Sequence, residues 1–138
     1  MDSSERDPVR YEWRGSMTND EINALHAEAF QHDLAHHDWN DQLSRLSLGW
    51  VTARDELGLV GFVNVIWDGL IHAFIEDTSV AERARRRGIG AGLIEVARER
   101  SSANGCVWLH VDFDDHLRSF YFEACGFTPT NAGLIRLR

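Results

Sequence analysis

The stretch RARRRGIGAG, residues 83–92, gathers four arginines and three glycines within ten positions of a chain whose formal net charge is −8. Glycines at the opening of a helix let the backbone turn tightly and bring bare N–H groups close to a ligand. The helix N-terminus adds about half a positive charge, and guanidinium groups beside it offer forked donors to phosphate oxygens. The stretch therefore reads as a pyrophosphate cradle, the positive charge being local because the anion is local. Other nucleotide sites fit less well. A Walker A loop requires lysine, and the chain has fourteen arginines and no lysine, which also removes a Schiff-base mechanism. A dinucleotide site requires G-x-G-x-x-G directly after a strand; here Leu93 stands at the third glycine and the charged loop AERARR intervenes, although Asp112 lies about 20 residues on, where a ribose would want an acid. The bland alternative is an arginine-rich surface loop with a helix-capping glycine.

A second group is His26, His32, His36 and His37. His32 and His36 have i,i+4 spacing with Asp33 nearby, a pattern that can hold a metal. The cluster falls around a loop between two predicted helices, so substrate contact or plain surface is the preferred reading and no metal is expected. Trp39 and Phe30 could line the same pocket, core packing being the ordinary fate of both. Cys106 and Cys125 lack CxxC spacing and read as reduced thiols.

The elements that must position these residues follow from periodicity and turn chemistry. VRYEW is a first strand. TNDEINALHAEAF opens with Thr18 and carries Glu21 three residues on, a capping box, with Ile22, Leu25, Ala29 and Phe30 as its apolar stripe. WNDQLSRLSL is a short second helix. GWVTARD, GLVGFVNVIWD and LIHAFIEDTSV are strands separated by the hairpin signals ELG and DG, hence antiparallel. A helix runs from Gly88 to Asn104-Gly105, CVWLHVDF is a strand, DHLRSFYFEACGF a helix, and TPTNAGLIRLR a terminal hairpin. The order βααβββαβαββ predicts an α/β domain with a mixed sheet.

At 138 residues, 43% hydrophobic with five tryptophans, the sequence predicts a single folded domain over residues 1–138 with a tail at residues 1–8. No apolar run reaches the roughly 20 residues of a membrane span, and the polar, acidic N-terminus resembles no targeting signal, so a cytoplasmic protein with no membrane partner is expected. The acidic balance argues against nucleic acid and suits cationic small molecules, as it also suits plain solubility.

Taken together, the chain resembles the GCN5-related N-acetyltransferase (GNAT) family over nearly its whole length. RRRGIG satisfies the signature Q/R-x-x-G-x-G/A with Arg85, Gly88 and Gly90; EDTSV is similar to a strand ending found in small-amine acetyltransferases; FYFEACGF is similar to F-Y-x-x-x-G-F. The resemblance implies a mostly antiparallel sheet with a splayed central parallel pair, FIEDTSV and CVWLHVDF, and flanking helices. It implies acetyl-CoA as cosubstrate, a small-molecule amine as acceptor, direct transfer through a tetrahedral intermediate, and frequent homodimers. Carried across, the amides of Arg86, Arg87, Gly88, Ile89, Gly90 and Ala91, with Arg85 beside them, would bind the CoA pyrophosphate. The backbone of Thr78, Ser79 and Val80 would pair with the pantetheine arm.

Amine acetylation needs a neutral amine and a proton for the departing thiolate. The resemblance implies a tyrosine donor, matched by Tyr121, yet four residues separate Tyr121 from Gly126 where the family usually has three. Anchoring on Gly126 puts Phe122 in that place. Helical periodicity (Leu117, Phe120, Tyr121, Ala124) favours Tyr121, with the extra residue absorbed near the helix end. An ordinary core aromatic is the alternative. For the base, Glu76 acting through a water is preferred, with Asp77 as backup on the opposite face by strand alternation, and His110 with Asp112 as another proton path. The competing readings are a non-catalytic acetyl-CoA-binding module and an enzyme acting on protein or peptide amines.

Overall fold

In a computed structural model, which describes residues 8–138, the chain forms one five-stranded sheet in the order β1-β2-β3-β4-β5. The strands are β1 (Arg10–Trp13), β2 (Ser47–Asp55), β3 (Gly58–Trp67), β4 (His72–Val80) and β5 (Trp108–His110). The helices are α1 (Asn19–Phe30), α2 (Trp39–Leu46) and α3 (Ile89–Ala103). β1 to β4 pair antiparallel, whereas β4 and β5 run parallel. The expected tail lies outside the described residues except for Pro8, which is exposed.

The local signals act as their chemistry requires. Thr18 Oγ1 accepts from the Glu21 amide at 3.1 Å, and Glu21 Oε1 accepts from the Thr18 amide at 2.9 Å, which closes the capping box of α1. Glu21 also takes the Arg54 guanidinium at 2.7 Å, tying the start of α1 to β2; Arg54 holds the carboxyl down to about 2. Phe62 packs edge-on against Trp39 of α2, while a Cβ at the preceding Gly61 would lie 2.9 Å from Ile89 and 3.0 Å from Leu93 of α3. Successive strand residues point to opposite faces, so α2 and α3 cover opposite sides of the sheet, and glycine at 61 is what lets α3 approach.

Two regions depart from the sequence expectation. The predicted last helix is instead a 3₁₀ turn (Asp115–Leu117) followed by a π-helical turn (Ser119–Ala124). The predicted terminal hairpin is absent among the described residues: 128–138 are exposed and form no strand. β5, predicted over 106–113, keeps three residues, so it offers almost no edge for a hairpin to extend, and a lone two-stranded ribbon lacks a face to bury. The parallel pair consequently stands at the edge of the sheet.

Candidate active site

β5 pairs with β4 only from His72↔Trp108 to Phe74↔His110. Beyond Phe74 the two strands have no ladder between them, so the edge of β4 through Thr78, Ser79 and Val80 is open toward β5, while its other edge pairs Ser79 with Phe62 and Val80 with Gly61 of β3. Beside this strand pair lies a cleft lined by His72 to Glu76 of β4, by β5, by Ile94 and Arg98 of α3 and by the C-terminal segment.

Beyond the end of β4, after the 3₁₀ turn Glu82–Ala84, stands the N-terminus of α3. Its N-cap is Gly88, at φ 74, with no side-chain cap, so the first amides of the helix find no partner within it. Arg86 is also left-handed, at φ 66. Two left-handed residues just ahead of a helix turn successive N–H groups toward one point. A Cβ at Gly88 would meet nothing within 4 Å, and open space before uncapped amides is what an approaching phosphate needs. The arginines divide their work. Arg83 and Arg87 both hold Asp55 at the end of β2, at 2.9 and 3.3 Å, and draw its carboxyl far below the usual range, Arg83 most strongly. This brace fixes the loop. Arg85 and Arg86 remain exposed beside the amides of Gly88, Ile89, Gly90 and Ala91.

Further along β4, Tyr121 is buried and donates its hydroxyl to Thr78 Oγ1 at 3.2 Å. Its ring is stacked on Phe113 (4.7 Å, 23°) and meets Phe120 edge-on. The π-helical turn resolves the spacing problem around this residue. The Cys125 amide reaches Phe120 O, one residue farther than in an α-helix, and Phe127 N bonds Tyr121 O. A π-turn accommodates one extra residue, so Tyr121 can face β4 although Gly126 lies one position late. Phe122 packs against Phe113 and under Arg118. Burial raises the Tyr121 hydroxyl above its ordinary value, the Thr78 hydrogen bond opposing it, so it keeps its proton through neutral pH.

Glu76 opens onto the same cleft. Partial burial, then the charges of Asp77 and Asp112, push its carboxyl above its ordinary value. Asp77 does not lie where alternation predicted. Phe62 pairs with Ser79 and Asn64 with Glu76, so Val63 opposes two residues, Asp77 and Thr78, in a β-bulge with Asp77 at φ 59. The bulge turns Asp77 toward α1, where its Oδ1 meets His26 Nε2 at 3.1 Å. His26 Nδ1 meets His32 Nε2 at 2.7 Å, and His32 Nδ1 meets the Asp33 carbonyl at 2.6 Å. This chain of contacts ties Asp77 to His26 and leaves Glu76 the freer carboxylate.

His36 and His37 stay outside this chain: His37 bonds Gln42 and packs on Trp39, and His36 is exposed. Trp39 is buried on Asn23, and Phe30 is half exposed beside His26. Among the described residues, no group of three or more His, Cys, Asp or Glu side chains is arranged to hold a metal ion. His110, offered with Asp112 as another proton path, bonds His72 at 2.7 Å and stacks on Phe74 at 4.6 Å. The hydroxyl of Thr78 as the partner of Tyr121 carried no sequence signal, because only the bulge makes it meet the ring.

The profile of the acetyltransferase (GNAT) family matches residues 11–127. The chain belongs to this family. Solved structures agree on the fold of this GNAT domain. An acetyltransferase of Trypanosoma brucei superposes with a TM-score of 0.79 at 19% identity, covering 95% of this chain and 99% of that one. Glucosamine-6-phosphate N-acetyltransferase from Arabidopsis thaliana gives 0.72 at 14%, covering 92% and 97%. The aminoglycoside N-acetyltransferase AAC(6')-Iy, solved in complex with CoA, gives 0.74 at 16%, covering 96% and 95%. No curated protein sequence matches the chain. Among the described residues, no helix is long and apolar enough to cross a membrane.

Proposed function

We propose that this GNAT domain transfers the acetyl group of acetyl-CoA to the primary amine of a small cationic molecule. The observation that carries the reading is the buried Tyr121 hydroxyl, held on Thr78 where β4 has parted from β5. An uncapped helix N-terminus lies along the same strand's exit. The amides of Arg86 to Ala91, flanked by Arg85, hold the pyrophosphate, and the open β4 edge at Thr78, Ser79 and Val80 receives the pantetheine arm. Bound there, acetyl-CoA supplies an activated acyl carbon and a thiolate leaving group.

The chain's own groups manage the protons. Glu76, its carboxyl raised by burial and by two neighbouring carboxylates, takes a proton from the acceptor's nitrogen through a water, leaving the lone pair free to attack. The new C–N bond forms, the C–S bond breaks with its electron pair going to sulfur, and Tyr121 gives that sulfur its proton. The second N–H proton restores Tyr121. The negative field of Glu76, Asp77 and Asp112 favours a cationic acceptor.

The test is release of free thiol from acetyl-CoA against spermidine, amino acids, aminoglycosides and short peptides, with acetyl-CoA binding followed by calorimetry. Turnover with a small amine supports the proposal. Preference for peptides points to a protein acetyltransferase, and binding without turnover on any amine points to a non-catalytic module.

A further inference from the structure

One face of β4 and β5 carries more than the proton-transfer groups. His72, Phe74 and Glu76 alternate along β4 and share a face. Trp108 and His110 stand opposite the first two, by the parallel register. Phe74 and His110 are stacked at 4.6 Å and 18°, His72 and His110 lie 5.0 Å apart, and the two imidazoles share a 2.7 Å hydrogen bond. Trp108 is 61% exposed, a large indole open to the cleft beside them. Phe74, His110 and His72 form a contiguous aromatic shelf, with Trp108 opposite His72 in the register at its end, and none is needed for the chemistry described above.

The shelf has a fixed relation to the acids. Glu76 is two residues beyond Phe74, which at the rise of a strand is about 7 Å. Asp112 lies two residues beyond His110, close enough to act on Glu76, and Tyr121 meets Thr78 two residues further on. The face is therefore divided: rings at one end, carboxylates and the transfer site at the other. An acceptor nitrogen placed among the carboxylates leaves the rest of its molecule over the rings.

We infer, resting on the acetyl-transfer reading above, that the acceptor is an arylalkylamine whose aromatic ring lies on the shelf of Phe74, His110, His72 and Trp108 while its ammonium sits at Glu76 and Asp112. A flat ring two or three bonds from the nitrogen spans the separation. Offset or edge-on stacking rewards such a ring beyond the area it buries. A linear polyamine is disfavoured, because it has no flat ring to stack on the shelf and would leave methylenes and a second, well-hydrated ammonium over it. An amino sugar is disfavoured because each imidazole already spends one ring nitrogen on the other, so few donors remain for a ring of hydroxyls.

The experiment compares kcat/KM for 2-phenylethylamine and tryptamine with that for putrescine, spermidine and glucosamine, on wild type and on Trp108→Ala. Trp108 is exposed, so its truncation leaves the fold intact; Phe74→Leu is a second variant that keeps an apolar side chain in the half-buried position. The expected result is at least a tenfold preference for the arylalkylamines. In both variants the arylalkylamine KM rises several-fold, kcat and acetyl-CoA affinity hold, and the preference shrinks toward unity. Equal or better use of putrescine, spermidine or glucosamine overturns the inference, as does a preference that survives both variants, while either leaves amine acetylation standing. Failure to acetylate any amine, with acetyl-CoA bound, overturns the acetyl-transfer reading and this inference with it.

Discussion

Replacing Tyr121 with Phe removes one oxygen from the site and little else. The ring is buried, and its packing on Phe113, Phe120 and Phe127 involves faces and edges that phenylalanine reproduces. The structural cost is one neutral hydrogen bond, to a half-buried Thr78 that water can reach, about 1 kcal/mol or less. For a domain of this length that lowers the melting temperature by about 3 °C. The chemical cost is far larger if the hydroxyl protonates the leaving sulfur, since a positioned general acid contributes roughly 10²–10⁴-fold, or about 3–5 kcal/mol of barrier. The two scales separate cleanly. Steady-state thiol release should show kcat reduced at least a hundredfold, with acetyl-CoA affinity by calorimetry unchanged. Because burial raises the Tyr121 hydroxyl above its ordinary value, wild-type kcat should show no loss of this acid below about pH 10. A Tyr121→Phe enzyme within threefold of wild type would refute the reasoning. Sulfur would then leave as the thiolate unaided, and Tyr121 would be a core aromatic whose hydroxyl merely satisfies Thr78.

Glu76 gives a prediction of opposite sign for activity and stability. Its carboxyl is raised in the fold, so kcat/KM should fall as pH drops through a midpoint above the ordinary 4.5, and Glu76→Gln should erase that limb while lowering kcat/KM by roughly 10²-fold or more. The folded protein binds this proton more tightly than the unfolded chain, so stability declines as pH rises from 4.5 through the raised value; Glu76→Gln should therefore unfold at a higher temperature than wild type at pH 7, as a thermal scan would show. Gly49→Ala tests the edge of the sheet. A Cβ there would lie inside van der Waals contact with Cζ2, Cη2 and Cε2 of Trp13, so β1 must give way. Overpacking of this kind costs about 1–3 kcal/mol, a fall in melting temperature of roughly 3–10 °C; an unchanged thermal midpoint would mean that the Trp13 ring swings aside freely.

What the sequence made legible was whatever local chemistry determines. The capping box at Thr18 and Glu21, the turn signals between β2, β3 and β4, and the glycine ahead of α3 each act through neighbours within a few residues, and each appears where those residues dictate. Two of the departures around the site share a different character, because they arise where one residue is added to a regular repeat. Alternation assigned Asp77 to the face opposite Glu76, but the bulge at Asp77 and Thr78 spends two residues against Val63 and turns Asp77 to His26. Motif spacing counted from Gly126 pointed to Phe122 where helical periodicity favoured Tyr121, and the π-helical turn accommodates the extra residue. Neither irregularity has a composition of its own; each is selected by long-range partners, α1 and β3 in one case and β4 in the other. Both fall within two residues of the hydrogen bond from Tyr121 to Thr78. Two insertions joined by this hydrogen bond are a means of aiming side chains that regular strands and helices would point elsewhere.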